Sequence, residues 1–382
     1  MLQNFLDAKP LFYDVIDYDR MPRVYERVKH HFTLPKIVHI VGTNGKGTTG
    51  RFLATALHRL GYNTGHYTSP HILNFNERVW YNGSDVSMEL LEESHQMLLN
   101  ILEPDEADAL SYFEYTTLLA MLFFSEKTDF IILEAGLGGE HDATASFESD
   151  LTLITPIAKD HEAFLGSTIE SIATTKINAV KRAALIAAQP DKKVYAIAKR
   201  VLNEKNLPLI EYRELLEAKD LRNIEAVAEK EAMAPYLQKN LQHAVSALKY
   251  FQLEYRQEDI SHARLFGRLT YLSKNIILDV GHNLLAAEAI ANALKEKQYI
   301  LVYNSYKDKE YEKILKTLQG IIKHVEVIEV DNIRIEERLL LQKSLEKLDI
   351  EYREFHSVDP EESYLVFGSF SVVEAFLKVY NG

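Results

Sequence analysis

The spacing of hydrophobic and polar positions along this chain changes several times, and each change marks an element. Residues 1–35 are mixed and helical in period, with a polar break at 16–21 between two amphipathic pieces. Residues 37–41 then form an almost continuous apolar run (Ile37, Val38, Ile40, Val41), which predicts a strand buried on both faces. The run breaks into a glycine-rich turn, after which Leu53, Leu57 and Leu60 recur on one helical face until Gly61 stops it. A short strand begins at Thr64 and is stopped by Pro70, which leaves Ser69 at its carboxyl end, and a polar loop follows at 74–78. Helical periods at 85–103 and 109–125 lead to an apolar strand at 130–133 that closes in Glu134. Another strand at 151–154 runs towards Lys159, Asp160, His161 and Glu162, and a helix at 168–182 carries Lys176 and Lys181.

The pattern loosens over 183–255, with one clear helix at 237–251, and then restarts. Strands are expected at 276–278, ending in Asp279, and at 299–303, 324–330 and 364–367, with an alanine-rich helix after His282 and a terminal helix. Strands alternating with helices predict an α/β fold. We expect a doubly wound parallel sheet with a P-loop over 1–266 and a smaller, Rossmann-like αβ domain over 267–382. No internal repeat or low-complexity segment interrupts it.

The turn reads Gly42-Thr43-Asn44-Gly45-Lys46-Gly47-Thr48-Thr49. Strand, glycine turn, lysine and helix together make a phosphate cradle. Glycines let backbone N–H groups approach oxyanions, and the helix N-terminus adds partial positive charge. The ordinary P-loop places Ser or Thr directly after its lysine. Here Gly47 follows Lys46 and the hydroxyl arrives one place late, at Thr48, which points away from common kinases and GTPases. In doubly wound sheets ligands bind beyond the carboxyl ends of the strands. Lys46, Ser69, Glu134 and His161 each fall just past a strand and are expected on that edge.

Composition narrows the chemistry. A net charge of −13 and a pI near 5.6 argue against broad nucleic-acid or membrane-surface binding. There are no cysteines, so disulfides, thiolate nucleophiles and cysteine metal sites are excluded, and any metal must be held by oxygen or histidine. The first residues lack a basic region followed by an apolar core, and no apolar run approaches the ~20 residues that span a bilayer. A cytoplasmic monomer is the expectation.

Several blocks occur in an order that resembles the folylpolyglutamate synthase/dihydrofolate synthase family of the Mur ligase superfamily. They are Gly42-Thr43-Asn44-Gly45-Lys46-Gly47-Thr48, Thr68-Ser69-Pro70-His71, Tyr112-Phe113-Glu114, and Glu134-Ala135-Gly136-Leu137-Gly138-Gly139 with Asp142-Ala143-Thr144. Asp160-His161, Gly267-Arg268-Leu269, Asp279-Val280-Gly281-His282-Asn283 and Phe367-Gly368-Ser369-Phe370 complete the set. The resemblance implies an ATP-binding domain followed by a glutamate-ligase domain. It implies that ATP activates the carboxylate of dihydropteroate or a reduced folate as an acyl phosphate, which the amine of L-glutamate then attacks.

Carried over residue by residue, the resemblance implies that Asn44, Gly45, Lys46, Gly47, Thr48, Thr49, His243, Arg268 and Asp279 bind ATP. Ser69, Glu134 and His161 are implied ligands of one Mg2+, and Lys176, at the position the family carbamylates, stands beside a second. Lys46, His161, Lys176 and His282 are the implied catalytic residues, with His282 linked to the incoming glutamate. The implied acceptor site comprises Tyr18, Tyr112, Phe113, Glu114, Asp142 and Ala143. Phe113 offers an aromatic face and Asp142 can accept from pterin N–H groups.

The chain departs from the family at Glu140-His141 and Ala145, where arginine, leucine and asparagine are expected. It also departs at Thr175, Ile177 and Asn178 around the lysine, at His243 in place of an asparagine, and at Leu284 in place of a proline. A Mur-type ligase with another acceptor, or a nucleotide-binding regulatory protein without ligation, is the alternative.

Overall fold

The computed structural model describes residues 1–9 and 17–381, so residue 16 of the expected polar break lies outside the described residues. The chain divides into two compact units, one of residues 1–233 and 237–263, the other of residues 234–236 and 264–382.

The strands of the first unit are β1 (Lys36–Val41), β2 (Thr64–Tyr67), β3 (Val79–Tyr81), β4 (Ser84–Asp85), β5 (Phe130–Glu134), β6 (Leu151–Ile154), β7 (Ala184–Ile186) and β8 (Leu209–Glu211). They form one sheet in the order β4-β3-β2-β5-β1-β6-β7-β8. From β2 to β8 neighbouring strands are parallel, and β3 and β4 add an antiparallel hairpin at one edge. The hairpin lies between the polar loop expected at 74–78 and the helix expected from 85, over residues to which the sequence pattern assigned no element. Its signal was present: Asn82 and Gly83 both have positive φ (46° and 107°), the two-residue turn that matches strand twist.

The apolar strands have the two-sided burial their composition demands. Along β5, Ile131 and Leu133 pack into one core with the helices Met88–Ile101 and Tyr112–Phe124, while Phe130 and Ile132 pack into another with Phe52, Leu53 and Leu57 of the helix Lys46–Arg59. Alternate residues of a strand face opposite sides, so a run without polar interruptions can exist only between two helical layers. The one imidazole in β1, His39, is buried and satisfied by Thr144 Oγ1 at 2.8 Å. The looser 183–255 region resolves into β7, the helix Lys193–Glu204, β8, the helix Ala218–Lys230 and the helix Pro235–Tyr250. Strands of three residues at the far edge carry too few apolar positions to show a period.

The second unit contains β9 (Thr270–Tyr271), β10 (Ile276–Asp279), β11 (Tyr299–Tyr303), β12 (Ile322–Val327), β13 (Tyr352–Glu354) and β14 (Tyr364–Phe367). The order is β13-β12-β11-β14-β10-β9, parallel except for the edge strand β9. Its core gathers Ile277, Leu301, Val325 and Leu365 from the strands with Ala287, Ile314 and Leu341 from the helices.

Candidate functional site

The centre of the first sheet is a topological switch point. From β1 the chain crosses to β2 on one side, and from the adjacent β5 it crosses to β6 on the other. Diverging connections open a crevice at the carboxyl ends of β1 and β5. Thr43 and Asn44 both donate backbone N–H groups to the Pro156 carbonyl (2.9 and 3.2 Å), and the Thr43 hydroxyl pairs with Ala158. The glycine turn is thereby tied to the segment after β6. Gly45 holds φ at +87°, with the Asn240 side chain so close that a Cβ would stand 2.8 Å from Oδ1. Only glycine fits that turn and lets the helix Lys46–Arg59 start there. Thr48 and Thr49 are buried in its first turn, and Thr49 Oγ1 has no hydrogen-bond partner.

Lys46 Nζ donates to the Thr43 carbonyl at 3.4 Å and stands 3.9 Å from the Glu134 carboxylate. Glu134, at the end of β5, is buried and accepts the Thr68 hydroxyl. Ser69 follows β2 and is half-buried, while His161 follows β6 with φ +54° and its Nε2 4.0 Å from Asp160. Ser69, Glu134, Lys46 and His161 thus follow four consecutive strands of the sheet, β2-β5-β1-β6.

Lys176, on the helix Ile169–Asn178, is buried and donates to the carbonyls of Gly42 (2.9 Å) and Gly138 (3.5 Å). Burial, reinforced by the charge of Lys46, lowers its pKa to about 7. Its amine joins the glycine turn to the loop after β5.

The acceptor candidates occupy that loop and the helix Tyr112–Phe124. Phe113 lies over Gly136, where a Cβ would meet its ring at 2.6 Å, and its other side faces Tyr67 at 5.9 Å between centroids. Asp142 is buried. One of its oxygens accepts the Leu137 N–H (2.8 Å), the other the Thr144 N–H (3.0 Å) and hydroxyl, and burial raises its pKa. Ala143 is buried next to it. Tyr18 is half-exposed and packs its ring 4.6 Å from His141.

Glu114 faces inward. It completes a capping box with Ser111 and receives Arg20 through Nε (2.8 Å) and a terminal nitrogen (2.7 Å), so its carboxylate fixes two helices to each other. His243 is also turned inward, its Nε2 3.1 Å from the Leu185 carbonyl and its pKa lowered by burial to about 4. The residue of that helix that reaches the glycine turn is Asn240, three positions earlier, which the sequence reading passed over. Its asparagine type and helical spacing from His243 were the available signal.

In the second unit, Asp279 ends β10. It is buried and accepts the N–H groups of Leu269 (2.9 Å) and Gly281 (2.8 Å) and the Tyr236 hydroxyl (3.3 Å). Arg268 lies over the Phe370 ring at 5.3 Å, and His282 Nδ1 is 3.1 Å from the Val280 carbonyl, just before the helix Leu284–Ala293. Arg268, Asp279 and His282 therefore gather at the carboxyl end of one parallel strand.

Comparison with known proteins finds relatives along the whole chain. The Mur ligase middle domain matches residues 40–254. The dihydrofolate synthase/folylpolyglutamate synthase of Buchnera aphidicola subsp. Schizaphis graminum is 32% identical over 368 residues, covering 88% of this chain and 86% of that protein. The crystal structure of Helicobacter pylori folylpolyglutamate synthetase has a TM-score of 0.82 at 36% identity and covers 100% of this chain and 98% of its own. The bifunctional folylpolyglutamate synthase/dihydrofolate synthase of Yersinia pestis, solved with AMPPNP and Mn ion, has a TM-score of 0.82 at 27% identity, covering 99% and 96%. By its order of motifs, its fold and its relatives, the chain belongs to the dihydrofolate synthase/folylpolyglutamate synthase family of Mur ligases.

Proposed function

We propose that the chain is an ATP-dependent amide ligase that joins L-glutamate to dihydropteroate, to the glutamate end of reduced folates, or to both. The observation that supports this best is the pairing of Lys46 with Glu134 across the switch-point crevice, beside a glycine turn built for phosphate. The similarity to enzymes bearing these names, one of them solved with an ATP analogue and a divalent ion, supports the substrate class.

In this reading residues 1–266 bind ATP and residues 267–382 carry the glutamate-ligase role. The backbone N–H groups of residues 45–48, at the helix N-terminus, receive the phosphates, and Lys46 neutralises the β- and γ-phosphates. The acceptor carboxylate attacks the γ-phosphorus and displaces ADP, giving an acyl phosphate. The neutral amine of glutamate then adds to the acyl carbon, loses a proton, and phosphate leaves as the amide forms.

The donor set fits a hard cation. Glu134 supplies a buried carboxylate with Lys46 Nζ 3.9 Å away, and Ser69 and His161 follow neighbouring strands. These three would hold one Mg2+, and Lys176, as a carbamate, would face a second. Such ions supply charge stabilisation for the transferring phosphoryl group. Asn44, Gly45, Gly47, Thr48 and Thr49 line the phosphate turn, while Arg268 and Asp279 contact the nucleotide and His282 the glutamate. Phe113, Tyr112, Tyr18, Asp142 and Ala143 border the pterin.

The experiment is phosphate release and amide formation from ATP and glutamate with dihydropteroate, tetrahydrofolate or no acceptor. Acceptor-dependent release with an amide product is expected. Release indifferent to both pterins rejects the folate assignment, and ATP consumption without an amide rejects ligation.

A further inference from the structure

Arg78 ends the short 3-10 helix Phe75–Arg78, is only 7% exposed, and has no anionic partner among the described residues. Its Nε donates to His71 Nδ1 at 2.8 Å, and its guanidinium lies 5.2 Å from the Tyr112 ring centroid. An imidazole nitrogen that accepts a hydrogen bond is unprotonated, so His71 brings no charge of either sign. Among the described residues no carboxylate oxygen comes within 4.0 Å of this guanidinium, whereas the other buried arginine, Arg51, faces Asp85 at 3.9 Å. Among the described residues the terminal nitrogens of Arg78 donate to no protein group, and they keep some contact with solvent. Burying a cation without a counter-ion costs several kcal/mol, and the cost is recovered when an anion docks against it. A fixed fork of N–H donors on an aromatic face suits a carboxylate.

Its place in the sheet decides which carboxylate. The Thr68 N–H donates to the Arg78 carbonyl at 2.9 Å, so Arg78 is level with the residue before Ser69. In the order β3-β2-β5-β1, Arg78 stands three strand spacings from the phosphate turn, roughly 14 Å between backbones at about 4.8 Å each. Lys46, Glu134 and Ser69 all lie on the nearer strands. A carboxylate held by Arg78 is therefore one that does not react. Dihydropteroate has only its reacting carboxylate, whereas a pteroylglutamate carries a second, the α-carboxylate of its terminal glutamate.

Building on the ligase reading above, we infer that Arg78 binds the α-carboxylate of a pteroylglutamate acceptor, with Tyr112 and His71 holding the guanidinium in place. Arg78 is then the residue that lets the acceptor site take folates as well as pteroate.

The test compares two acceptors, tetrahydropteroylglutamate and tetrahydropteroyl-γ-aminobutyrate, which keeps the reacting carboxylate but lacks the α-carboxylate. Wild type and Arg78→Gln are measured with each. With wild type, KM is expected to be tenfold or more higher for the aminobutyrate compound, in line with the loss of a charge-assisted pair. Arg78→Gln is expected to raise KM for the glutamate compound by a similar factor, with kcat within about threefold. KM for the aminobutyrate compound stays unchanged.

Should Arg78→Gln fail to fold by circular dichroism, Arg78→Lys replaces it, with the same pattern at smaller amplitude. Equal weakening of both acceptors, or weakening of neither, overturns the inference. So does a wild type that uses dihydropteroate but extends no pteroylglutamate, an outcome that leaves the ligase reading intact. Failure with dihydropteroate and both pteroyl compounds rejects the ligase reading itself.

Discussion

At the scale of single residues, two lysines separate the jobs of charge and of reactivity. Lys46 stays close to Glu134 in a partly open crevice, and removing it should take away the cation aimed at the transferring phosphoryl group. Lys46→Ala is expected to lower kcat at least a hundredfold while the far-ultraviolet circular dichroism is unchanged. Lys176 is the opposite case, fully enclosed and brought by burial to a pKa of about 7. A lowered pKa makes more of the neutral amine available near neutral pH, the form that adds carbon dioxide. Turnover in carbon-dioxide-depleted buffer should fall and recover with bicarbonate, and Lys176→Ala should be slow in both. A carbamate carbon resonance from labelled bicarbonate, present in wild type and absent in Lys176→Ala, checks the same point. The altered neighbours Thr175, Ile177 and Asn178 hid this in the sequence, because the perturbation comes from Gly42, Gly138 and Lys46, none of them local in the chain. Gly45 is legible from both sides: its φ of +87° and the nearby Asn240 mean that Gly45→Ala should cost about 1–3 kcal/mol in chemical denaturation.

At the scale of elements, the helix Tyr112–Phe124 shows how one segment carries two signals. Its aromatic residues mark it as a possible acceptor surface, and Ser111 with Glu114 marks a helix start. The structure gives the carboxylate of Glu114 to the cap and to Arg20, both in buried geometry. Glu114→Ala should therefore lower stability by about 2–3 kcal/mol, read as a lower midpoint in denaturant with an unchanged slope. The capping pair was readable at a spacing of three. Arg20 as its partner was not, because it lies 94 positions away. Strand β3 fell to the same limit: a three-residue strand has no period, and only its pairing with β2 makes it one.

At the scale of the whole molecule, acid stability depends on histidines that the first unit buries as neutral groups. In the first unit, burial lowers the pKa of His39 to about 3 and of His243 to about 4. In the unfolded chain each returns to about 6.5. Between those values the unfolded chain binds more protons, so stability rises with pH up to about 6.5 and falls as pH drops below it. The thermal midpoint should decline steeply from pH 6.5 to 4, and His39→Gln should make that decline shallower. An unchanged slope in the variant would remove His39 from the acid response.

The sequence by itself determined the architecture's alphabet: apolar runs too continuous for a one-sided sheet, a glycine turn with a displaced hydroxyl, and ordered motifs that identify the family. These are local features, because a strand's burial and a turn's φ angles are written in adjacent residues. Tertiary structure decided which strands are neighbours, and through that which polar groups share an edge and which are turned inward. Ser69, Glu134, Lys46 and His161 fall on consecutive strands only because the crossovers from β1 and from the parallel β5 run to opposite sides of the sheet. Glu114 and His243 turn inward for the same kind of reason, since their partners come from distant segments. Arg78 is the clearest instance. A lone arginine in a polar stretch says little, whereas a buried guanidinium with no anion beside it among the described residues is a property of the folded protein alone.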